Sequence, residues 1–202
     1  MMRAFMLMIA GLMLGPGHLA HAQEVPVAGE SPVIMRLNKV VLDTEAANTT
    51  GSVKTGTLCV SSDKFTWNGF GESGVVHGPY QRRFVKAMEV TGFKVLDGSK
   101  NLFAGAAANE DGGYAVGVIL LPRTVEICLT MGGRIKGRVV SDVEFQLFDN
   151  ATKQVAHTVT YSGTAEYPKF RDDANFGTLL ADSFADAAGK FAADPAVLSR
   201  AP

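Results

Sequence analysis

The chain has few of the residues that enzymes and metalloproteins assemble into reactive sites. It contains two cysteines and four histidines among 202 residues. His18 and His21 fall in an amino-terminal leader, and His77 and His157 do not sit at ligand spacing from a cysteine, so a zinc site lacks partners. No Gly-x-Ser-x-Gly sequence occurs, which excludes the usual strained turn of a serine hydrolase. These absences favour a protein that is not an enzyme and that carries no metal or other cofactor.

An excess of charge of either sign is also missing. The formal net charge is −1, so neither nucleic acid nor an anionic lipid surface is an expected partner. Beyond the leader, the most apolar stretch runs from Ala115 to Leu121 and stops at Pro122, which is the length of a strand and too short for a membrane span. We therefore expect no nucleic-acid binding and no membrane insertion.

The amino terminus carries the three regions of a secretory signal peptide. Arg3 supplies the charged start, an apolar run follows from Phe5 to Leu14, and a Gly-Pro-Gly break leads to small residues at Ala20 and Ala22. This layout predicts cleavage after Ala22. A transmembrane helix is the alternative, but the apolar run is broken well short of the roughly 20 residues that a bilayer requires. We expect residues 1–22 to be removed and the mature protein to work in the periplasm, with secretion as the alternative.

The two cysteines, Cys59 and Cys128, both lie in the mature part of the chain. An exported protein with an even cysteine count usually pairs them. The bridge would close a loop of about 70 residues and stabilise the fold by a few kcal/mol in the chain-entropy model. Two buried thiols, or a metal or redox site, are the alternatives. The sequence predicts a Cys59–Cys128 disulfide.

Apolar periodicity indicates one α+β domain from residue 55 to 202, preceded by a lead-in over residues 23–54 with one candidate strand, Val33–Leu42. Ala46–Lys54, within the lead-in, is polar and reads as a loop. Apolar residues at helical spacing predict a helix over Tyr80–Thr91, ended by Gly92, and a second over Asn175–Ala193.

The clearest strand signal is the alternation in Arg138–Phe148, where Val143, Phe145 and Leu147 share one face. The chain then turns and returns as Gln154–Tyr161, which predicts an antiparallel hairpin. Alternation in the returning strand places Val155, His157, Val159 and Tyr161 on one face. Weaker signals predict strands at Gly56–Val60, Phe93–Gly98, Ala115–Leu121 and Thr124–Thr130. The expected fold is a mixed sheet that contains a long antiparallel hairpin and is packed by two main helices.

Several of these segments resemble an α/β domain of the cell envelope. They are the early strand Gly56–Val60, the helix and strand between Tyr80 and Val95, and the hairpin Val143–Val155 with its order of strand, Asp, turn and Val. Gly163 and the final alanine-rich helix follow. This arrangement is similar to the domain shared by the amino-terminal domain of TolB, the penicillin-binding-protein activator LpoB and the curli secretion lipoprotein. The resemblance spans roughly residues 55 to 193 and implies a binding or assembly factor of the envelope.

Aromatic residues gather beside two predicted loops. Phe65, Trp67 and Phe70 flank a glycine-rich turn, and Tyr167 and Phe170 precede the final helix. Aromatic side chains that are exposed in loops are candidate interface anchors, whereas buried ones would act as lids on the core. These five residues are the candidate interface.

His157 lies between Val155 and Val159 in a predicted strand. A general base would need a cleft and a neighbouring carboxylate, whereas this position indicates a hydrogen-bonded residue on a packed sheet face. His77 precedes the first predicted helix, and we expect its side chain to be exposed to solvent.

Three functions follow. The first, which we expect, is an exported, non-enzymatic envelope protein that binds a partner protein or envelope component through a sheet edge or its aromatic loops. The second is a small-molecule or metal carrier, which a cavity lined by Phe84, Met88 and Phe184 would indicate. The third is a hydrolase with a loop-assembled site, which a deep pocket joining His157 or His77 to a carboxylate would indicate.

Overall fold

Alternating apolar residues build the long strands at the centre of the fold. The computed structural model describes residues 33–67, 77–96 and 113–201. The predicted signal peptide, its cleavage site and Phe70 lie outside these ranges. In order, the elements are β1 (Ile34–Leu42), β2 (Thr50–Thr55), β3 (Ser61–Lys64), α1 (His77–Met88), β4 (Lys94–Val95), β5 (Tyr114–Leu129), β6 (Ile135–Asp149), β7 (Gln154–Arg171), α2 (Phe176–Ala192) and α3 (Pro195–Leu198).

The three longest strands form an antiparallel meander. β5 pairs with β6 along its whole length, and β6 pairs with β7. Val143, Phe145 and Leu147 are buried on one face of β6, as their alternation predicts. The predicted hairpin is confirmed, but its second strand extends past Tyr161 and Gly163 to Arg171.

The other edge of β5 is shared by two shorter strands. β1 pairs in parallel with its first half and β2 in parallel with its second half. β4 adds to β1 in parallel, and β3 adds to β2 in antiparallel. The described part of the predicted lead-in therefore supplies two strands to the sheet.

Pro122 explains how β5 can pair with both β1 and β2 along one edge. The sequence predicts two strands interrupted at this proline, but the structure has one strand with a register shift between Pro122 and Thr124. Proline has no N–H to donate and is tolerated where a strand lacks a neighbour. Pro122 lies in the gap between β1 and β2, where its carbonyl oxygen accepts a bond of 2.6 Å from the Thr49 hydroxyl.

Two local predictions are wrong. The predicted loop at 46–54 contains β2 from Thr50 onward, because pairing with β5 overrides its polar composition. The predicted strand Gly56–Val60 is instead the connection between β2 and β3, where Gly56 (φ 85°) and Cys59 (φ 54°) turn the chain through positive φ.

Both long helices cover one face of the sheet. On α2, Phe184 and Phe191 pack against Phe145 of β6 with ring centroids 6.0 and 4.5 Å apart. α1 packs on α2 through Tyr80 and Phe184. Gly163 of β7 lies so close to α2 that an added Cβ would overlap the Ser183 carbonyl oxygen. The predicted α+β class, a mixed sheet with two main helices, is confirmed.

None of the helices in the described ranges has both the length and the apolar character of a membrane-spanning segment.

Candidate functional site

The candidate site lies on the sheet face opposite α1 and α2, which we call the open face. In the described part of the chain, no helix packs on it. Pairing places Ser52, Glu126, Arg138 and Glu166 side by side in one row across β2, β5, β6 and β7. We call this the inner row. Strand alternation sets these residues opposite to the buried core positions of the same strands.

A second row lies two residues nearer the end of the sheet. It comprises Lys54, Cys128 and Lys136, paired directly across β2, β5 and β6. We call this the outer row. It contains two cations and no carboxylate.

A disulfide closes this end of the sheet. Cys59 and Cys128 are bonded, with their Cα atoms 5.8 Å apart, which confirms the predicted pairing. Cys128 is buried near the end of β5, so the bond ties the turn after β2 to the neighbouring strand β5. Structural disulfides are typical of proteins exported from the cytoplasm.

The two rows and the disulfide line a cavity of about 520 Å³, which we call the groove. Gly137 forms part of its floor at φ 144°, and a Cβ there would overlap the Glu126 carbonyl oxygen. Glycine is therefore required for β5 and β6 to approach closely at this point. The full lining comprises Ser52, Lys54, Cys59, Glu126, Ile127, Cys128, Lys136, Gly137, Arg138, Glu166, Tyr167 and Pro168.

The charges of the groove are not used to hold the fold together. Within the described ranges, no side-chain hydrogen bond or ion pair of 4.0 Å or less is formed by Lys54, Glu126, Arg138 or Glu166. Lys136 packs its ammonium 4.8 Å from the centroid of the Phe170 ring. The ion pair between Arg123 and Asp142, at 2.7 Å, joins β5 to β6 away from the groove. The groove charges are free to bind a ligand.

Exposed apolar residues surround the same end of the sheet. Leu58 and Val60 flank Cys59 and are 82% and 80% exposed, and Met131 is fully exposed in the turn between β5 and β6. Thr55 and Leu129 are paired, so both turns leave the sheet side by side. We call Leu58, Val60 and Met131 the apolar tip.

The predicted interface aromatics are mostly part of the core. Phe65 is buried, and Trp67 is half-buried against it, with its indole N–H donating to the Thr49 hydroxyl over 3.0 Å. Tyr167 is also buried, and its hydroxyl donates to Asp182. These three side chains cover the core and are not exposed anchors for a partner. Tyr167 is nevertheless part of the lining of the groove. Phe170 lies beside the groove, through its contact with Lys136.

A second polar cluster ties α2, α1 and β7 together. Asp182 accepts the Tyr167 hydroxyl and forms an ion pair of 2.6 Å with Arg83. Burial, followed by the bond to Asp182, raises the pKa of Tyr167. The cluster joins three elements and carries a structural role.

His157 has a carboxylate neighbour but no cleft. Its Nε2 lies 3.0 Å from Asp194, which also accepts the Tyr161 hydroxyl over 3.0 Å and the backbone N–H of Ala196 over 2.8 Å. Asp194 is buried and caps α3. The groove is not lined by His157 or by His77. The arrangement matches the predicted hydrogen-bonded residue on a packed face.

Asp194→Asn is expected to lower the free energy of unfolding by about 2 kcal/mol at pH 7, because a buried charged acceptor is lost. Burial opposes ionisation of Asp194, but the bonds from His157, Ala196 and Tyr161 outweigh it and hold the pKa of the carboxyl below its usual range. The unfolded chain has the higher pKa, so this stabilisation is present above about pH 4 and is lost as the pH falls through the folded pKa.

Urea unfolding at pH 7 and at pH 3 checks this expectation, since the deficit of Asp194→Asn should shrink on acidification. Asp173→Asn, which removes an exposed partner of Arg171, serves as the control and should show a much smaller deficit at pH 7. A deficit of Asp194→Asn that is equal at both pH values would contradict the assignment.

The carrier hypothesis required a cavity around three apolar residues. Phe84, Met88 and Phe184 are each fully buried and packed into the core, and none of them lines the groove. Among the described residues, no group of three or more His, Cys, Asp and Glu side chains is arranged to hold a metal ion.

Sequence reasoning did not identify the groove. Its charges come from four strands, and each alone looks like an ordinary polar residue on the outer side of a strand. The alternation in β6 places Lys136 and Arg138 on one face, but their proximity to Lys54 and Glu166 depends on strand pairing. Only the order and register of the paired strands place these residues together.

Comparisons with known proteins give only weak similarity. No family model matches the chain, and no curated protein matches it. Protein XCC0632 of Xanthomonas campestris, from the DUF330 family, aligns over 87% of this chain and 90% of its own at 10% identity, with a TM-score of 0.39. A Helicobacter pylori homologue of the neuraminyllactose-binding hemagglutinin aligns over 79% and 81% at 10% identity, with a TM-score of 0.24. At these scores the chain resembles both proteins too distantly for either to indicate its function.

Proposed function

We propose that the protein is an exported, non-enzymatic protein of the cell envelope that binds a partner protein through the disulfide end of its open face. The observation that carries the proposal is the groove, which gathers charged side chains from four strands without pairing them internally. Unpaired charge on a rigid sheet is preorganised for recognition, because the binding groups need little ordering when a ligand arrives.

The surroundings of the groove have the composition of a protein interface. Leu58, Val60 and Met131 of the apolar tip stand beside charged residues, and interfaces combine apolar anchors with a polar rim. Three exposed apolar side chains at one end of a sheet are also unfavourable in water, so burying them against a partner stabilises the complex.

Two further points support the envelope assignment. The disulfide suits an oxidising compartment, and the predicted signal peptide would deliver the chain there. The resemblance to the envelope domain of TolB, LpoB and the curli secretion lipoprotein implies the same kind of role, since those proteins are binding and assembly factors.

A carrier of a small polar molecule is the second candidate. The groove has a volume of about 520 Å³, which lies within the usual range of small-molecule sites, about 300 to 1,000 Å³. The exposed apolar tip favours the protein partner, because a small ligand held in the groove would leave it uncovered.

Photo-crosslinking in intact cells tests the proposal. A photoreactive residue at Leu58 or Met131 should give a discrete adduct in the periplasmic fraction, with the mature chain beginning at Gln23. The same residue at Val90, which is 86% exposed after α1, should give none. The charge reversals Lys136→Glu and Arg138→Glu should abolish the adduct. An adduct that survives both reversals, or a chain that stays in the cytoplasm with Met1 in place, would contradict the proposal.

A further inference from the structure

The charge of the groove changes sign along the strand direction. The outer row holds Lys54 and Lys136 on either side of Cys128, with no carboxylate. The inner row holds Glu126 and Glu166 on either side of Arg138. Lys64 of β3 pairs with Ser52 at the edge of this row but does not line the groove. Within the groove, the inner row therefore holds two carboxylates and one cation and is negative, whereas the outer row is positive.

The separation of the two rows is set by strand geometry. Residues two apart on a strand are about 7 Å apart, so the positive and negative rows are separated by about that distance. An extended peptide has the same repeat, and its side chains at positions i and i+2 point the same way. A segment lying along the groove would thus present alternate side chains to the two rows in register.

We propose that the groove binds an extended segment of a partner protein that carries an acidic and a basic side chain two residues apart. This inference rests on the proposed function and specifies its ligand. The acidic group lies over Lys54 and Lys136, and the basic group lies over Glu126 and Glu166. The disulfide supplies an apolar wall between the two lysines.

Charge complementarity argues for this occupant over a simple anion or cation. An anion would meet favourable charge at the outer row and repulsion from Glu126 and Glu166 one row inward, and a cation would meet the reverse. Only a ligand with both charges at the spacing of the rows is attracted by each of them.

Four end-blocked peptides of equal length test the inference against the folded mature protein, with binding followed by fluorescence anisotropy. The first carries Glu and Lys two residues apart, and the second carries them adjacent, so that they point to opposite sides. The third carries two Glu and the fourth two Lys, each two residues apart. The first peptide should bind at least about tenfold more tightly than the other three, which corresponds to about 1.4 kcal/mol.

The second measurement asks whether a charge-reversed variant prefers a different peptide. The double substitution Lys54→Glu with Lys136→Glu makes the outer row acidic, so the peptide with two Lys should become the tightest ligand. Lys86→Glu, an exposed site on α1, is the matched control and should leave the order unchanged. Circular dichroism of each variant confirms that it is folded.

The inference is overturned if the first two peptides bind equally, if none of the four binds at millimolar concentration, or if the double variant keeps the original order. Binding of a free zwitterionic amino acid in place of the peptides would also overturn it and favour the small-molecule carrier. A groove-dependent crosslink without the peptide preference would leave the proposed function standing and remove only this ligand.

Discussion

Removal of the Cys59–Cys128 disulfide is expected to lower the free energy of unfolding by about 4 kcal/mol, because the bond closes a loop with a sequence separation of 69 residues. The bond constrains the unfolded chain far more than the folded one. Many small domains have a total stability of about 5 to 15 kcal/mol, so this loss is a large fraction of the whole. The variant Cys59→Ser with Cys128→Ser should therefore unfold at a much lower urea concentration than the oxidised protein.

Reductant provides the internal control for this measurement. Dithiothreitol should shift the unfolding midpoint of the wild-type protein toward that of the double serine variant and should leave the variant itself unchanged. A wild-type protein with no change in midpoint after complete reduction, verified by thiol labelling, would contradict the stabilising role. Because the disulfide also walls the groove, the double variant should bind partner more weakly even where it remains folded.

Phe145→Ala is the second substitution with a large expected effect, a loss of about 3 to 5 kcal/mol of unfolding free energy. The ring is fully buried and stacks on Phe191 with centroids 4.5 Å apart, and it also contacts Phe184. It thus joins β6 to α2 through two ring contacts. Truncation leaves a cavity between the sheet and the helix that neither can close, because both are held by their own backbone hydrogen bonds.

Phe148→Ala on the same strand is the matched control for Phe145→Ala. Phe148 is half-buried and pairs with the exposed Val155. Its truncation should cost far less, since less apolar area is returned to water. Equal losses for the two variants in urea unfolding would show that the helices do not define the buried face of β6.

The structure confirms the buried faces that local periodicity predicts for single elements. The alternation of Val143, Phe145 and Leu147 identified the buried face of β6, and the apolar spacing around Phe184 identified the inner side of α2. In both cases the pattern arises from the geometry of a single element, with a repeat of two or about 3.6 residues. Such a pattern can be read from neighbouring residues alone.

Pairing between distant segments was not predictable in the same way. The sharing of one edge of β5 by β1 and β2 depends on Pro122 lying in the gap between them, which no local pattern indicates. The face of the sheet on which each β7 side chain lies also depends on pairing with a distant segment. A register shift sets Val155 opposite Phe148 and His157 opposite Leu147, although the alternation alone placed Val155 and His157 on one face.

The sequence by itself determined the α+β class, the two long helices and the buried face of β6, and it favoured the pairing of Cys59 with Cys128, because each depends on local repeats or on the small number of cysteines. The tertiary structure alone decided that Lys54, Glu126, Lys136, Arg138 and Glu166 meet in one groove. These residues lie on four strands and up to 112 positions apart in the chain. Their proximity is fixed by strand order and register, which are properties of the whole sheet.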